Sequence, residues 1–311
     1  MDAISSAIET IIHRIPTIAF RLDEPLKNYT TFKVGGPVRV MFFPETTTDL
    51  VVILDILYEH KVSPLIMGNG SNFLVSDEML DLAVINTSKL SEIKMIKTDN
   101  SDSPEYRDIE VEAGVLLSKL AIFAYENELT GLEFAQGIPG TVGGAVAMNA
   151  GAYDGEMKDV VVNVNAYSPK AGELFLNATE IGFSYRHSRF SQTDEVVMST
   201  RVRLKQGNFD RIKQKMEELG ARRRESQPLN LPSGGSTFKR PKEGYAAALI
   251  EQAGLKGFAI GGAQVSKQHS GFIVNTANAT FSDIMAVIRH VQSEVYKQFG
   301  IQLELEVKIV R

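Results

Sequence analysis

The 311-residue chain contains no cysteine. That absence excludes disulfides, thiolate metal sites and a cysteine nucleophile, and it fits a reducing compartment. Missing too is any apolar run near the ~20 residues of a membrane span. The best stretch, "DLVVILDILY", is interrupted by Asp55. The N-terminal "MDAISSAIETIIHRI" carries Asp2 and Glu9 and has neither a basic leader nor a long apolar segment, so it reads as an amphipathic element, not a signal peptide. Positive charge is not in excess: the net charge is -5 and the pI about 5.7, which leaves no global field to draw nucleic acid or an acidic membrane. The basic run "ARRRE" (Ala221–Glu225) is local and reads as a solvated helix face. Five histidines, at 13, 60, 187, 269 and 290, show no metal-ligand spacing, so no metal is expected. The expectation is a soluble, cytoplasmic monomer without nucleic-acid or membrane partners.

What is present is ordinary globular composition, 43% hydrophobic and 23% charged, in a chain long enough for two or three domains. Helical spacing predicts helices over 48–58 (Leu50, Ile53, Leu54 and Leu57 on one side), over 115–127 (Leu116, Leu120, Ile122, Phe123), and over 281–299. In the last, Phe281, Ile284, Met285, Ile288, Val291, Val295 and Phe299 form the stripe and Gly300 stops it. A more polar helix is expected from Phe209 to about Glu225. Strands are expected at "PVRVMFFP" and "SPLIMG", which flank the first of these helices as a βαβ unit, and at "DIEVEAG", "VVVNVNAYS", "EVVMSTRVRLK" and "HSGFIVN". The terminal "IQLELEVKIV" alternates as one long strand, with Ile301, Leu303, Leu305, Val307 and Ile309 inward and Glu304, Glu306 and Lys308 outward. A composition change near 206–208 marks a candidate boundary.

Three glycine-bearing stretches carry candidate chemistry. "MGNGSN" follows a strand and allows backbone N–H groups to turn inward around an anion. It is neither a Rossmann fingerprint, since Phe73 stands where the third glycine would fall, nor a P-loop, since no Gly-Lys-Ser/Thr occurs. Alone it is as much a plain turn as a cradle. "GIPGTVGGAVAMNAG" is denser. Close helix–sheet packing explains some of its glycines and approach to a flat or phosphorylated ligand explains more. The two loops, about seventy residues apart, suit one extended dinucleotide-like ligand. "PSGGSTFKRP" exposes Ser236 behind two glycines, which by default is a polar turn.

Seven blocks then fall in one order: "YTTFKVGG", "GNGSNFLVSD", "GLEFAQGIPGTVGGAVAMNAGAY", "FSYRHSRF", "PSGGSTFKRP", "GLKGFAIGGAQVSKQHSGFIVN" and "LELEVKIV". Together they resemble the UDP-N-acetylenolpyruvoylglucosamine reductase family of peptidoglycan precursor synthesis, over nearly the whole chain. The resemblance implies an α+β fold, with a two-part FAD-binding region of the vanillyl-alcohol-oxidase type and a smaller α+β substrate-binding domain. It divides the chain into residues 1–88, joined by the terminal strand 301–311, then 89–207, then the substrate-binding domain 208–300. It implies non-covalent FAD, held by Gly68, Asn69, Gly70, Ser71 and Asn72 and by Gly137, Pro139, Gly140, Gly143 and Gly144. NADPH is the implied co-substrate and a UDP-sugar the substrate.

The implied reaction places hydride from reduced flavin on the terminal enolpyruvyl carbon and a proton on its neighbour. Negative charge develops toward the carboxylate, so the protein supplies a cation or donors there and an acid at the carbon. By resemblance Arg186 is the catalytic arginine, Ser236 the proton donor and Glu306 the catalytic glutamate, with Glu304 the fallback. A protonated Glu306 in a dry site would donate to the enolate oxygen. Lys239, Arg240 and, more weakly, Gln227 are expected at the substrate. Arg240 stands where many members carry asparagine, and Asp154 where glycine is common. The 50 residues from Arg186 to Ser236 resemble the shorter branch of the family, which lacks a substrate-capping tyrosine loop. Two other readings remain: another FAD-superfamily oxidase, and a non-catalytic flavin or nucleotide binder that keeps the glycine loops without the three reacting residues.

Overall fold

The computed structural model of the chain describes residues 2–96 and 104–311. It begins with α1 (Ala3–Arg14), β1 (Ala19–Pro25), β2 (Pro37–Phe43), α2 (Thr47–Glu59), β3 (Leu65–Met67), β4 (Phe73–Val75), β5 (Leu80–Asn86) and β6 (Ile93–Ile96). There follow β7 (Tyr106–Glu112), α3 (Leu117–Glu126), β8 (Leu129–Thr130), α4 (Val142–Ala147), β9 (Gly151–Ala152), β10 (Gly155–Glu156), β11 (Val161–Ser168), β12 (Gly172–Asn177), α5 (Ala178–Ile181) and β13 (Val196–Gln206). The last third holds α6 (Phe209–Ser226), β14 (Ser233–Ser236), α7 (Ala246–Gln252), β15 (Ala259–Ile260), β16 (Ala263–Val265), β17 (Phe272–Asn275), α8 (Phe281–Phe299) and β18 (Lys308–Val310). Packing gathers these into two compact units. Unit 1 comprises 1–22, 40–69 and 82–221; unit 2 comprises 23–39, 70–81 and 222–311.

Unit 1 contains two hydrophobic clusters. In the first, Ile4, Ala7 and Ile11 of α1 and Leu50, Ile53, Leu54 and Leu57 of α2 meet Val40 and Phe42 of β2 and Ile85 of β5. Each such side chain removed from water contributes about 1.5–3 kcal/mol. Thr46 starts α2 through a capping box with Asp49, whose carboxylate accepts from the Thr46 N–H in return. The sheet order is β1-β2-β5-β3, so the expected βαβ unit is split. β5 lies between its two strands and is the one that pairs in parallel with β3.

The second cluster lies on the six-stranded sheet β12-β11-β13-β7-β6, with β8 on β13. Ile109 and Val111 of β7 and Val202 and Leu204 of β13 pack against α3 and α4. The face of α3 is rotated from the expected one: Leu117, Leu120, Ala121 and Ala124 are buried, while Leu116 and Ile122 are exposed. Leu116 lies at the N-cap, outside the helix, so the buried face starts at Leu117. On the same sheet Arg203 stands opposite Asp108 and grips it with two bonds, 2.7 and 2.9 Å. Asp108 is fully buried, and pairing with bidentate bonds is what makes a buried carboxylate tolerable.

Unit 2 is built on the antiparallel sheet β14-β17-β16-β15. Against it lies α8, capped by Thr280 and Asp283 at its start and by Gly300 in the left-handed region at its end. Ile284, Val287, Ile288, Val291 and Val295 form its buried stripe. Val287 joins the expected set, and Phe299, in the last turn, is 36% exposed. The terminal strand is shorter than the alternation predicts. Leu305 bridges Phe238 antiparallel, whereas β18 pairs in parallel with β4. A change of partner between them breaks the ladder, so 301–310 is not one strand. The basic run at the end of α6 is also not wholly solvated: Arg223 is 6% exposed, with Arg222 and Arg224 facing outward.

Candidate active site

In unit 2 the strand β14 carries Ser236 at its last position, opposite Phe272 of β17. The stretch is therefore a strand end with an irregular register, not the simple turn that its composition suggests. Its two glycines serve different needs. A Cβ on Gly234 would collide with the Phe32 ring, while Gly235 has φ +76° and open space beside it. The next residue, Thr237, is fully buried. Its N–H donates to the Gly271 carbonyl (2.9 Å), and its own carbonyl accepts from the Glu306 N–H (2.9 Å). Lys239 N–H donates to the Glu304 carbonyl (2.9 Å). Segments 237–239 and 304–306 thus run as a short antiparallel pair, which sets Ser236 and Glu306 near one another along the backbone.

The residues of the "MGNGSN" loop that fall in unit 2 join the same cluster. Asn72 donates from Nδ2 to the Glu306 carbonyl (3.1 Å) and accepts from the Lys308 N–H (2.8 Å). Gly70, at φ +58°, lies under the Tyr29 carbonyl, where any Cβ would collide, and its carbonyl accepts from the Thr31 N–H (3.3 Å). Thr31 Oγ1 in turn donates to the Ser233 carbonyl (2.6 Å). The two glutamates of the last segment diverge. Glu304 forms an ion pair with Lys239 at 3.3 Å and is 72% exposed at its side chain; Glu306 is half-buried. Arg240 lies over the exposed Tyr245 ring, 4.1 Å from its centroid. The backbone N–H of Gln227 donates to the Arg223 carbonyl (2.9 Å), closing the last turn of α6.

His269 is one of the five histidines whose spacing fits no metal site. Its Nδ1 accepts from the Gly271 N–H (3.2 Å), and its ring meets Phe272 edge-on. It therefore supports the segment on which Thr237 and Ser236 pair. Burial is the main cause that lowers its pKa; nearby Lys256 lowers it further, and Glu251 opposes.

In unit 1 Arg186 occupies a tight turn. Ser184 and His187 exchange both backbone bonds across it, and Arg186 takes φ +52°, a left-handed conformation that costs a non-glycine residue on the order of 1 kcal/mol or more. The turn is fastened from several sides. Ser188 and Ser191 both donate to the Ala147 carbonyl at the end of α4 (2.8 and 2.7 Å). Asn149, fully buried, donates to the Ser184 carbonyl (3.1 Å) and to Glu156 (2.7 Å). The guanidinium donates to the Gly151 carbonyl (3.1 Å). Asn149 was missed as a functional residue, although "MNAGAY" contains it, because its task is to hold another loop. Asp154 adopts φ +66°, the turn geometry expected where glycine is common.

The glycine loops of unit 1 also come together. Asn69 Nδ2 donates to the Pro139 carbonyl (2.5 Å), and a Cβ on Gly68 would strike the Thr141 hydroxyl. Gly143 is committed to packing: its N–H donates to the Ala113 carbonyl (2.8 Å), and a Cβ there would stand 2.8 Å from that of Ala113. Among the described residues, the N–H groups of Asn69, Gly137 and Gly140 in this unit meet no backbone acceptor, and neither, within unit 2, do those of Gly70, Ser71 and Asn72. Gln136 Oε1 is shielded from solvent and likewise has no partner among the described residues. A cavity of about 300 Å³ elsewhere in unit 1 is lined by Glu92, Glu110, Glu112 and Glu173 around Lys94. It contains none of the expected residues, and its charge opposes an anionic nucleotide.

Comparison with known proteins matches residues 38–175 to an FAD binding domain and residues 227–310 to the C-terminal domain of UDP-N-acetylenolpyruvoylglucosamine reductase. The reductase of Caldanaerobacter subterraneus subsp. tengcongensis is 47% identical over 289 residues, 93% of each chain. That of Limosilactobacillus reuteri is 43% identical over 96% of this chain and 98% of its own. The crystal structure of the Thermus caldophilus reductase superposes with a TM-score of 0.78 at 34% identity, covering 94% of this chain and 99% of that one.

Proposed function

This chain belongs to the UDP-N-acetylenolpyruvoylglucosamine reductase family, and we propose that it reduces the enolpyruvyl group of UDP-N-acetylglucosamine enolpyruvate to give UDP-N-acetylmuramate for peptidoglycan synthesis. It is an FAD-dependent oxidoreductase, and NADPH is its proposed reductant. The proposed organisation is FAD-binding portions at 1–88 with 301–311 and at 89–207, and a substrate-binding portion at 208–300. The working form is proposed to be a cytoplasmic monomer without nucleic acid.

The residues present fit FAD. Among the described residues, N–H groups without a backbone acceptor at Asn69, Gly137 and Gly140 in unit 1, and at Gly70, Ser71 and Asn72 in unit 2, are each donors suited to a phosphate. Gly68 and Gly70 stand where a Cβ would collide, and Gln136 offers a buried acceptor. When bound, FAD supplies the redox chemistry, passing hydride from NADPH to the terminal enolpyruvyl carbon.

The chain supplies the rest. Arg186, permanently charged and fixed by its turn, takes the substrate carboxylate as negative charge develops there. Ser236 gives its proton to the neighbouring carbon; an alcohol suffices because a carbanion is far more basic. Glu306, held protonated, donates a hydrogen bond to the enolate oxygen, and Lys239 and Arg240, with Gln227 nearby in sequence, hold the diphosphate. One observation supports pairing Ser236 with Glu306 rather than with Glu304: the Glu306 N–H meets the Thr237 carbonyl and the Glu306 carbonyl meets Asn72, whereas Glu304 is spent on Lys239 in solvent.

Anaerobic spectroscopy tests the function. The purified protein is expected to show an oxidised flavin spectrum, bleach with NADPH and recover its colour on adding UDP-N-acetylglucosamine enolpyruvate. Failure to bind FAD, or bleaching without recovery by that substrate, contradicts the proposal.

A further inference from the structure

Gln136 ends the short helical turn Glu133–Ala135 and opens the loop that continues through Gly137, Pro139 and Gly140. Its side-chain oxygen is out of reach of solvent and meets no donor among the described residues. The nearby polar groups are already committed. Glu133 accepts from Thr130 and from the Gly131 N–H, and the Pro139 carbonyl accepts from Asn69. A buried acceptor left unmatched is costly, and folded chains retain few of them. Gly137 and Gly140, next in the loop, have N–H groups that also lack a backbone acceptor among the described residues. A buried acceptor and nearby-in-sequence N–H donors, all left open in one loop, suit a bound group that brings both a donor and an acceptor. FAD offers N–H and O–H donors on its isoalloxazine, ribityl, ribose and adenine parts, beside its anionic diphosphate.

We propose that Gln136 binds the cofactor directly, its side-chain carbonyl accepting a hydrogen bond from an N–H or O–H group of FAD. This rests on the FAD reading above, and the two fail separately. A wild-type protein that takes up no FAD ends that reading before any variant is made.

The test is equilibrium FAD binding to reversibly stripped protein, followed by quenching of flavin fluorescence, for wild type and Gln136→Leu. Leucine keeps much of the volume and removes the acceptor. The dissociation constant is expected to rise about five- to tenfold, the worth of one buried hydrogen bond. Thermal unfolding of the stripped variant is expected to be unchanged or to shift upward, because an unpaired buried carbonyl has gone. ADP and FMN as separate probes locate the partner: the fragment that carries it weakens with the variant and the other does not. FAD affinity within about twofold of wild type overturns the proposal. So does a fall in the stripped variant's melting temperature matching the loss of affinity, since the carbonyl then has a partner within the chain. Gln136→Met provides the same comparison if the leucine variant does not fold.

Discussion

Glu304 and Glu306 are two residues apart and have different surroundings. Glu304 is held by Lys239 in solvent, where an ion pair contributes about 0–1 kcal/mol. Glu306 is half-buried and bound at both its N–H and its carbonyl. Glu304→Gln should therefore leave turnover within about twofold of wild type, while Glu306→Gln should slow flavin reoxidation by substrate about a hundredfold. Steady-state and stopped-flow rates on the two variants check this, and equal losses would reverse the assignment. His269 gives a second residue-level prediction. Burial, reinforced by Lys256 against the opposing Glu251, favours its neutral form when folded. The unfolded chain therefore takes up the proton first. Its contribution is present above its ordinary value of about 6.5 and is lost as pH falls through the lower folded value. His269→Asn keeps a short acceptor for Gly271 but cannot titrate, so its urea midpoint should fall less between pH 7 and pH 5 than that of wild type.

Among the elements, α2, α3, α6 and α8 follow from helical spacing to within a residue or two, because each lays a stripe of apolar residues on a sheet. Local spacing fails where a partner elsewhere in the chain decides. The terminal segment alternates like one strand, yet it serves Phe238 first and Phe73 afterwards. β5 enters between β2 and β3, which no local pattern announces. Tyr167 of β11 shows how elements are tied: its hydroxyl donates to Asp55 of α2 (2.6 Å), and burial followed by that bond pushes its pKa up to about 12. The stability from this raised value is whole below about pH 10 and is lost as pH rises toward 12. Tyr167→Phe is expected to cost about 1–2 kcal/mol at pH 7 and to flatten the alkaline fall in melting temperature between pH 9 and 11. An unchanged alkaline profile would mean that the hydroxyl does not titrate with unfolding.

At the scale of the whole molecule, the candidate site was legible as a set of motifs and illegible as an arrangement. Unit 2 draws on 23–39, 70–81 and 222–311, and the bond from Asn72 to Glu306 spans 234 positions; periodicity carries no information over such distances. Ser236 illustrates the point. Two glycines and a serine read as a turn, and only the pairing of Thr237 with Gly271 and Glu306 separates it from any other polar loop. Stopped-flow absorbance on Ser236→Ala, following the two half-reactions separately under anaerobic conditions, is the most direct test of the account. Bleaching by NADPH should remain within about twofold of wild type, and recovery with UDP-N-acetylglucosamine enolpyruvate should slow by about 10²–10⁴, the contribution of a positioned acid. Equal slowing of both phases, or undiminished recovery, would contradict Ser236 as the proton donor.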